Sequence, residues 1–159
     1  MFLKNKKYFK SVWVLGSNSK VAQSICFELS KKGCNRFHFV YRSQIKHDEF
    51  VNNLKVKKNL KITTENIDLL KPPNLKENIF LKNLDFDLYL ITAGYLGNHN
   101  LALHDFKEAN NILKTNFYAL IPWINEIATS ERIEKAKSLW VFSSIASDKG
   151  RPSNYFYGA

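Results

Sequence analysis

Short apolar segments that alternate with helical patterns constrain the fold of this chain more than any other feature of its sequence. The segments 11–15, 87–91 and 139–142 are almost entirely apolar, as strands buried on both faces of a sheet are. The segments 36–41 and 59–67 predict two further strands. Strands that alternate with helices are joined by right-handed crossovers, which make the strands parallel. The sequence therefore predicts an α/β fold with a doubly wound, Rossmann-like parallel sheet.

Apolar residues recur at helical spacing between the predicted strands. A first helix is expected to end at Gly33, because glycine readily adopts the left-handed conformation of a helix carboxyl end. A polar helix is expected at about 47–54 and a short helix at 74–83. The segment 105–128 predicts one long helix. Within it, Pro122 removes a backbone hydrogen bond and is expected to kink the helix or shift its register.

Length and composition favour one globular domain over residues 1–159. The chain has 159 residues, 45% of them hydrophobic, which is enough to form a substantial core. The apolar run at 12–15 is too short for a signal peptide or a membrane span. We therefore expect a cytoplasmic protein without a membrane-spanning segment.

The basic charge and the few cysteines exclude other classes of protein. The formal net charge is +10, but the lysines are scattered through KNKK, SKK and KVKK rather than gathered in one stripe, so we expect no nucleic-acid partner. The two cysteines, Cys26 and Cys34, have no histidine cluster nearby, which predicts neither a disulfide framework nor a metal site. A small molecule is the expected ligand.

The turn after the first strand, LGSNSKVA, consists mainly of small residues where a helix is predicted to begin. The amino end of a helix presents free N–H groups to an anion, such as the pyrophosphate of a dinucleotide. The usual fingerprint has three glycines, and only Gly16 is present here, so a plain strand-to-helix turn remains an alternative. The candidate cofactor-binding residues of this turn are Gly16, Asn18, Ser19, Lys20 and Val21.

The second predicted strand is followed by Arg42, at a position where an NAD site has a carboxylate for the ribose 2′-hydroxyl. A guanidinium group pairs bidentately with a phosphate, and Lys20 or Ser19 could reach the same group. This pattern favours NADP(H) over NAD(H) as the cofactor. A solvated loop position for Arg42 is the alternative.

Two further strand ends have groups suited to a dinucleotide. Asp68, after the third strand, can accept a hydrogen bond from an adenine amino group. Ala93 and Gly94, after the fourth strand, allow a cofactor to lie close to the backbone. Each feature also fits an ordinary strand end or loop, but four successive strand ends of this kind favour a dinucleotide site.

Asn116 falls on the inward side of the predicted long helix, between Leu113 and Leu120. An unpaired amide there would cost about 1–3 kcal/mol, so a partner is expected. A hydrogen bond that ties the helix to a neighbouring loop would be sufficient, and this structural role remains open.

The residues after the fifth strand complete a recognisable set. Ser144 ends the strand segment, and Tyr157, in the sequence Tyr-Gly-Ala, stands thirteen residues later. Together with the Gly16 turn, the Ala-Gly pair at 93–94 and Asn116, this order resembles the short-chain dehydrogenase/reductase family over essentially the whole chain. The stretches GSNSKVAQ, TAGYLG and SSIASDKGRPSNYFYGA are most similar to the branch of decaprenylphosphoryl-ribose 2-keto-reductases and related cell-envelope sugar reductases.

The resemblance implies an NAD(P)(H)-dependent oxidoreductase that transfers hydride between nicotinamide and a carbonyl or alcohol, with a keto-sugar or sugar-lipid as the favoured substrate. It implies that Tyr157 donates the proton, that Ser144 binds the substrate oxygen, and that Asn116 holds a water of a proton relay. Thr92 stands where the family usually has asparagine.

The family also has a lysine four residues after the tyrosine, which would be residue 161, whereas the sequence ends at Ala159. We therefore expect an amino-terminal fragment, incomplete at the carboxy-terminus, with little turnover of its own. The full-length protein is expected to be a homo-oligomer. A truncated, catalytically inactive NADP(H)-binding module is the alternative function.

Overall fold

The structure is a computed structural model that describes residues 9–55, 59–71, 85–129 and 138–158. The short helix predicted at 74–83 lies outside these residues.

The described residues form one five-stranded parallel sheet with the strand order β3-β2-β1-β4-β5. Val12 of β1 is in register with Phe37 of β2 on one side and with Leu88 of β4 on the other. The doubly wound, Rossmann-like α/β fold predicted from the sequence is confirmed. The strands are β1 (Ser11–Leu15), β2 (Arg36–Tyr41), β3 (Lys61–Asn66), β4 (Leu88–Ile91) and β5 (Ser138–Val141).

Described helices lie between β1 and β2, between β2 and β3, between β4 and β5, and after β5. The described α-helices are α1 (Lys20–Lys31), α2 (Gln44–Lys55), α3 (His99–Ala102), α4 (Phe106–Leu113), α5 (Ile121–Ala128), α6 (Ile145–Asp148) and α7 (Tyr155–Gly158). A 3₁₀ turn at Pro152–Asn154 precedes α7.

The predicted long helix at 105–128 is interrupted. A π-helical turn at Lys114–Tyr118, which we call the π turn, separates α4 from α5. Pro122 lies in the first turn of α5, where its missing N–H removes no helical hydrogen bond. The expected break is therefore present, but it begins eight residues before the proline.

Alternate residues of the strands pack into two separate core clusters, as the two faces of a sheet require. Val12 and Val14 pack with Cys26 of α1 and Leu54 of α2. On the other face, Trp13 and Leu15 of the same strand pack into the cluster that contains Trp123 and Ile127 of α5. Among the described helices, none is both long and apolar enough to cross a membrane.

Candidate functional site

The carboxyl ends of β1 and β4 lie side by side in the sheet, although β2 and β3 come between these two strands in the sequence. In open α/β sheets, ligands bind outside the strand ends at such a change of direction. Two pockets open there, a smaller one of about 250 Å³ and a larger one of about 500 Å³. The residues that line both pockets are Ser19, Thr92, Ala93 and Gly94, so the two pockets form one continuous cleft.

Gly16, the first residue after β1, lies directly against the loop that follows β4. Its φ is +91°, and a Cβ at this position would be 2.5 Å from both Cα and N of Ala93. Thr92 reinforces the contact, because its hydroxyl donates to the carbonyl of Gly16 at 3.1 Å. A residue other than glycine would therefore require the floor of the cleft to move.

The turn from Gly16 to α1 directs the helix amino end toward the cleft. Ser19 precedes the helix, and within the described part of the chain its side chain makes no capping hydrogen bond. Val21 lines the larger pocket, whereas Lys20 lines neither pocket. The N–H groups of Gly16 and Ser17 donate to the carbonyl of Val40, and that of Ser19 donates to the carbonyl of Gly16. The first N–H groups of α1 have no partner within the helix and therefore suit an anion.

Asn18 joins this turn to the loop after β2. Its Oδ1 accepts from the N–H groups of Arg42 and Ser43 at 3.0 Å and 2.8 Å, and its Nδ2 donates to the carbonyl of Ser43 at 3.1 Å. Because these hydrogen bonds fix the backbone at Arg42, the side chain of Asn18 helps to define the shape of the smaller pocket.

The smaller pocket has a cationic edge. Arg42 and Lys46 both line it, together with Ser43. The guanidinium carbon of Arg42 lies 5.9 Å from the centre of the Tyr95 ring, a cation–π contact that spans from β2 to the loop after β4. Two positive side chains beside a hydroxyl form a donor set suited to a phosphate group.

The loop after β3 also lines the smaller pocket. Asp68 lines the pocket, and its Oδ1 accepts from the N–H of Leu70 at 3.1 Å. A carboxylate has capacity for further donors, so Asp68 can hold this loop and still accept from a ligand. Lys114 of the π turn donates to the carbonyl of Leu70 at 2.5 Å and fastens the loop to the helix.

Asn116 lines the larger pocket from the π turn. Its Oδ1 accepts from the N–H of Tyr95, and its Nδ2 donates to the carbonyl of Tyr95, both at 2.8 Å. Asn116 thus ties the helix to a neighbouring loop, which is the structural role considered from the sequence. Because an amide oxygen has two lone pairs, Oδ1 retains one acceptor position for a water or a ligand.

The buried carboxylate of Glu108 also holds the loop after β4. Glu108 of α4 is 8% exposed, and its Oε1 accepts from the hydroxyl of Tyr95 and the N–H of Asn98, both at 2.8 Å. The hydrogen bond to Glu108, with a smaller contribution from burial, raises the pKa of Tyr95 above its ordinary value. Tyr95 is therefore held as a neutral donor to Glu108 near neutral pH.

Ser144 and Tyr157 both line the larger pocket. Ser144 precedes α6, and its Oγ accepts from the N–H of Ala146 at 3.2 Å. Tyr157 lies on α7 and packs against the cluster of Ala102, Ala109 and Ile112. Gly158 allows α7 to approach α6, since a Cβ there would be 2.5 Å from the carbonyl oxygen of Ala146.

All but one of the predicted site residues line the cleft; the exception is Lys20. Sequence reasoning missed Ser43, Lys46 and Thr115 as pocket residues. The positions of Ser43 and Lys46, just after Arg42, were a usable signal, because the first turn of a helix after a strand borders the same sheet end. Thr115 had no such signal, because its orientation depends on the π turn.

The described cysteine, histidine and acidic residues are the candidate ligands for a metal site. Cys26 and Cys34 are buried, free thiols. Burial raises the pKa of both thiols, to about 11 for Cys34. Throughout the described ranges, no cluster of histidine, cysteine, aspartate and glutamate has the composition of a metal site.

The sequence matches no family model and no curated protein. Solved structures nevertheless share the fold. The bulky-bulky ketone specific alcohol dehydrogenase from Comamonas testosteroni is similar with a TM-score of 0.81 and 15% identity, over 96% of this chain and 61% of that chain. The short-chain dehydrogenase from Sphingobium yanoikuyae, in complex with NADPH, has a TM-score of 0.79 and 15% identity, over 93% and 59%.

An NAD⁺-bound xylitol dehydrogenase is similar as well, with a TM-score of 0.78 and 15% identity, over 96% of this chain and 60% of that chain. At this identity the likeness establishes a common fold. The chain spans about three fifths of the length of these three proteins.

Proposed function

We propose that the chain is an NAD(P)(H)-dependent oxidoreductase of the short-chain type, with NADP(H) favoured over NAD(H). The observation that carries the proposal is the continuous cleft at the β1 and β4 ends, with Arg42 at one end and Ser144 and Tyr157 at the other. The smaller pocket suits a phosphorylated adenosine, and the larger pocket suits a nicotinamide together with a carbonyl or alcohol substrate. That solved proteins of this fold bind NAD⁺ and NADPH supports the assignment.

The residues of the cleft fit the cofactor. The amino end of α1 would receive the pyrophosphate, because its first N–H groups have no partner within the helix, and the closely packed Gly16 turn places this helix end at the cleft. Arg42, Ser43 and Lys46 would bind a 2′-phosphate. The absence of an acidic residue at the end of β2 supports NADP(H).

The chemistry would be shared between cofactor and chain. The nicotinamide supplies or accepts the hydride when it is bound. Tyr157 would donate the proton to the substrate oxygen. Ser144 would hydrogen-bond that oxygen, because its Oγ accepts from Ala146 while its hydroxyl hydrogen can be donated to a ligand. A water on Oδ1 of Asn116 would connect the site to solvent.

A keto-sugar or sugar-lipid is the substrate we propose, on the motif resemblance alone. The resemblance to the cell-envelope sugar reductases rests on the stretches around Gly16, Gly94 and Tyr157. A homo-oligomer is proposed on the same basis.

One observation favours the alternative of a binding module without turnover. Among the described residues that line the larger pocket, there is no lysine or arginine. A phenol ordinarily has a pKa of about 10, and a neighbouring positive charge is the usual means of adapting it to acid/base work near neutrality. Binding without turnover is therefore a distinct and measurable outcome.

The test uses the full-length protein that the gene encodes. Binding is measured by NADPH fluorescence, and turnover is measured as NADPH oxidation with a panel of ketones and keto-sugars. We expect saturable binding, and Tyr157→Phe should reduce turnover by about 10²-fold or more while binding stays unchanged. Tyr155→Phe, a change in the same short helix at an exposed position, is the matched control. Binding without turnover would support the binding module, and no saturable binding would overturn both functions.

A further inference from the structure

Thr115 has a buried hydroxyl without a partner at the wall of the smaller pocket. The residue is 6% exposed, and within the part of the chain that the structure describes its Oγ1 makes no hydrogen bond. A threonine in a helix usually bonds back to a carbonyl of the preceding turn. Here that bond is not made, although leaving a buried hydroxyl unpaired costs stability.

Two successive residues of the π turn line the two different pockets of the cleft. Thr115 lines the smaller pocket only, whereas Asn116 lines the larger pocket only. A π turn inserts one extra residue into a helix, and such insertions are frequent at functional sites. Thr115 and Asn116, although adjacent in sequence, therefore line different parts of the same cleft.

Asp68 lies in the same pocket as Thr115, and the two segments are fastened together. The hydrogen bond from Lys114 to the carbonyl of Leu70 joins the π turn to the loop that begins at Asp68. The cationic edge at Arg42 and Lys46 comes from the end of β2 and the start of α2, whereas Thr115 comes from the π turn. The wall with Asp68 and Thr115 thus offers one carboxylate acceptor and one hydroxyl to an uncharged polar group.

We propose that the Thr115 hydroxyl binds the adenine base of NADP(H), beside Asp68. This inference rests on the proposed function and assigns a new ligand-binding residue within it. Adenine has an amino group next to a ring nitrogen that accepts hydrogen bonds. Asp68 can only accept and would take the amino hydrogen, while the Thr115 hydroxyl can donate to the ring nitrogen. Hypoxanthine presents an oxygen and an N–H at these two positions. Asp68 selects against the oxygen because a carboxylate cannot donate, whereas the Thr115 hydroxyl can pair with either base and adds affinity.

The test compares NADPH with its deamino analogue, reduced nicotinamide hypoxanthine dinucleotide phosphate, by fluorescence titration. The wild-type chain should prefer NADPH. Thr115→Val, which has nearly the same shape, should bind NADPH about 3-fold to 10-fold more weakly. Thr115→Ser should retain the affinity of the wild-type chain. Without ligand, Thr115→Val should be at least as stable to urea as wild type, because it removes an unpaired buried hydroxyl.

Thr129→Val is the matched control, since the hydroxyl of Thr129 is exposed and bonds the carbonyl of Asn125 at 2.7 Å. It should leave NADPH affinity and the preference over the deamino analogue unchanged. If Thr115→Val binds both cofactors as wild type does, or loses stability without any change in binding, the role of Thr115 is overturned while the proposed function stands. If the wild-type chain binds neither dinucleotide, the proposed function itself is overturned, and the adenine contact with it.

Discussion

The side-chain amide of Asn116 exchanges two hydrogen bonds of 2.8 Å with the backbone of Tyr95. This exchange joins the π turn to the loop after β4. A backbone N–H and a carbonyl of an otherwise irregular loop are satisfied by one side chain, so the loop has a fixed position although it has no regular secondary structure.

Asn116→Leu should lower the free energy of unfolding by about 2 kcal/mol, because both backbone groups of Tyr95 lose their partner. Urea denaturation measures this change. Asn110→Leu is the matched control, since Asn110 is an exposed residue of α4. If the two variants unfold at the same urea concentration, the exchange with Tyr95 contributes nothing to stability.

Gly16→Ala should destabilise the chain by at least about 2 kcal/mol, because the position combines a left-handed φ with a Cβ clash against Ala93. Thermal unfolding followed by circular dichroism measures the loss. Gly150→Ala is the control, because a Cβ at Gly150 meets nothing within 4 Å and no left-handed φ is involved. Equal midpoints for the two variants would contradict the close approach of the β1 and β4 ends.

Arg42→Gln should reduce the preference for NADPH over NADH by about 10-fold or more, because a charge-assisted hydrogen bond to the 2′-phosphate is lost. The affinity for NADH should change little. Both affinities are obtained by fluorescence titration at one salt concentration. Arg151→Gln removes the same charge from an exposed position outside both pockets and should leave the ratio unchanged. A ratio that is unaltered in Arg42→Gln would rule out this arginine as the phosphate ligand.

Tyr95→Phe should lower stability by about 1 to 2 kcal/mol at neutral pH, because Glu108 loses its phenol donor. The difference from wild type should depend on pH in a defined direction. The pKa of Tyr95 is raised in the folded state, so its contribution is complete below the unfolded pKa of about 10 and is lost as the pH rises through the raised value.

Urea denaturation between pH 7 and pH 11 checks this direction. The curves of wild type and Tyr95→Phe should run parallel up to about pH 10 and converge above it. Tyr118→Phe, at an exposed position of the π turn, should follow wild type throughout. A gap between wild type and Tyr95→Phe that widens at alkaline pH would contradict the hydrogen bond to Glu108.

The strands β1, β2 and β4 were predictable because burial on both faces leaves a direct trace in the sequence. The apolar run at 139–142 also forms a strand, but its burial on both faces was predicted wrongly, because β5 lies at the edge of the described sheet and is partly exposed. The apolar run at 11–15 coincides with β1, and RFHFVY coincides with β2. The residues that follow each strand could then be assigned to one edge of the sheet, which accounts for finding Gly16, Arg42 and Asp68 in one cleft.

The π turn was not predictable, because an inserted residue leaves no pattern of its own in a helix that is apolar on one side. The partners of the polar groups were equally hidden. Asn98 caps the short helix α3 through a local contact, but it also donates its N–H to Glu108, and this second contact does not follow from the order of residues. Long-range contacts of this kind depend on how α4 packs against the loop, and a single sequence does not specify that geometry.

The contact between Gly16 and Ala93 also has a consequence for how this fold could diversify. The passage between the two pockets is bounded by backbone and by small side chains, so substitutions there have little room to alter its width. The larger and the charged residues that line the cleft lie away from this passage, near Arg42 in the smaller pocket and near Tyr157 in the larger pocket. Substitutions near Arg42 and near Tyr157 could therefore reshape the two pockets independently of each other, while the middle of the cleft stays as it is.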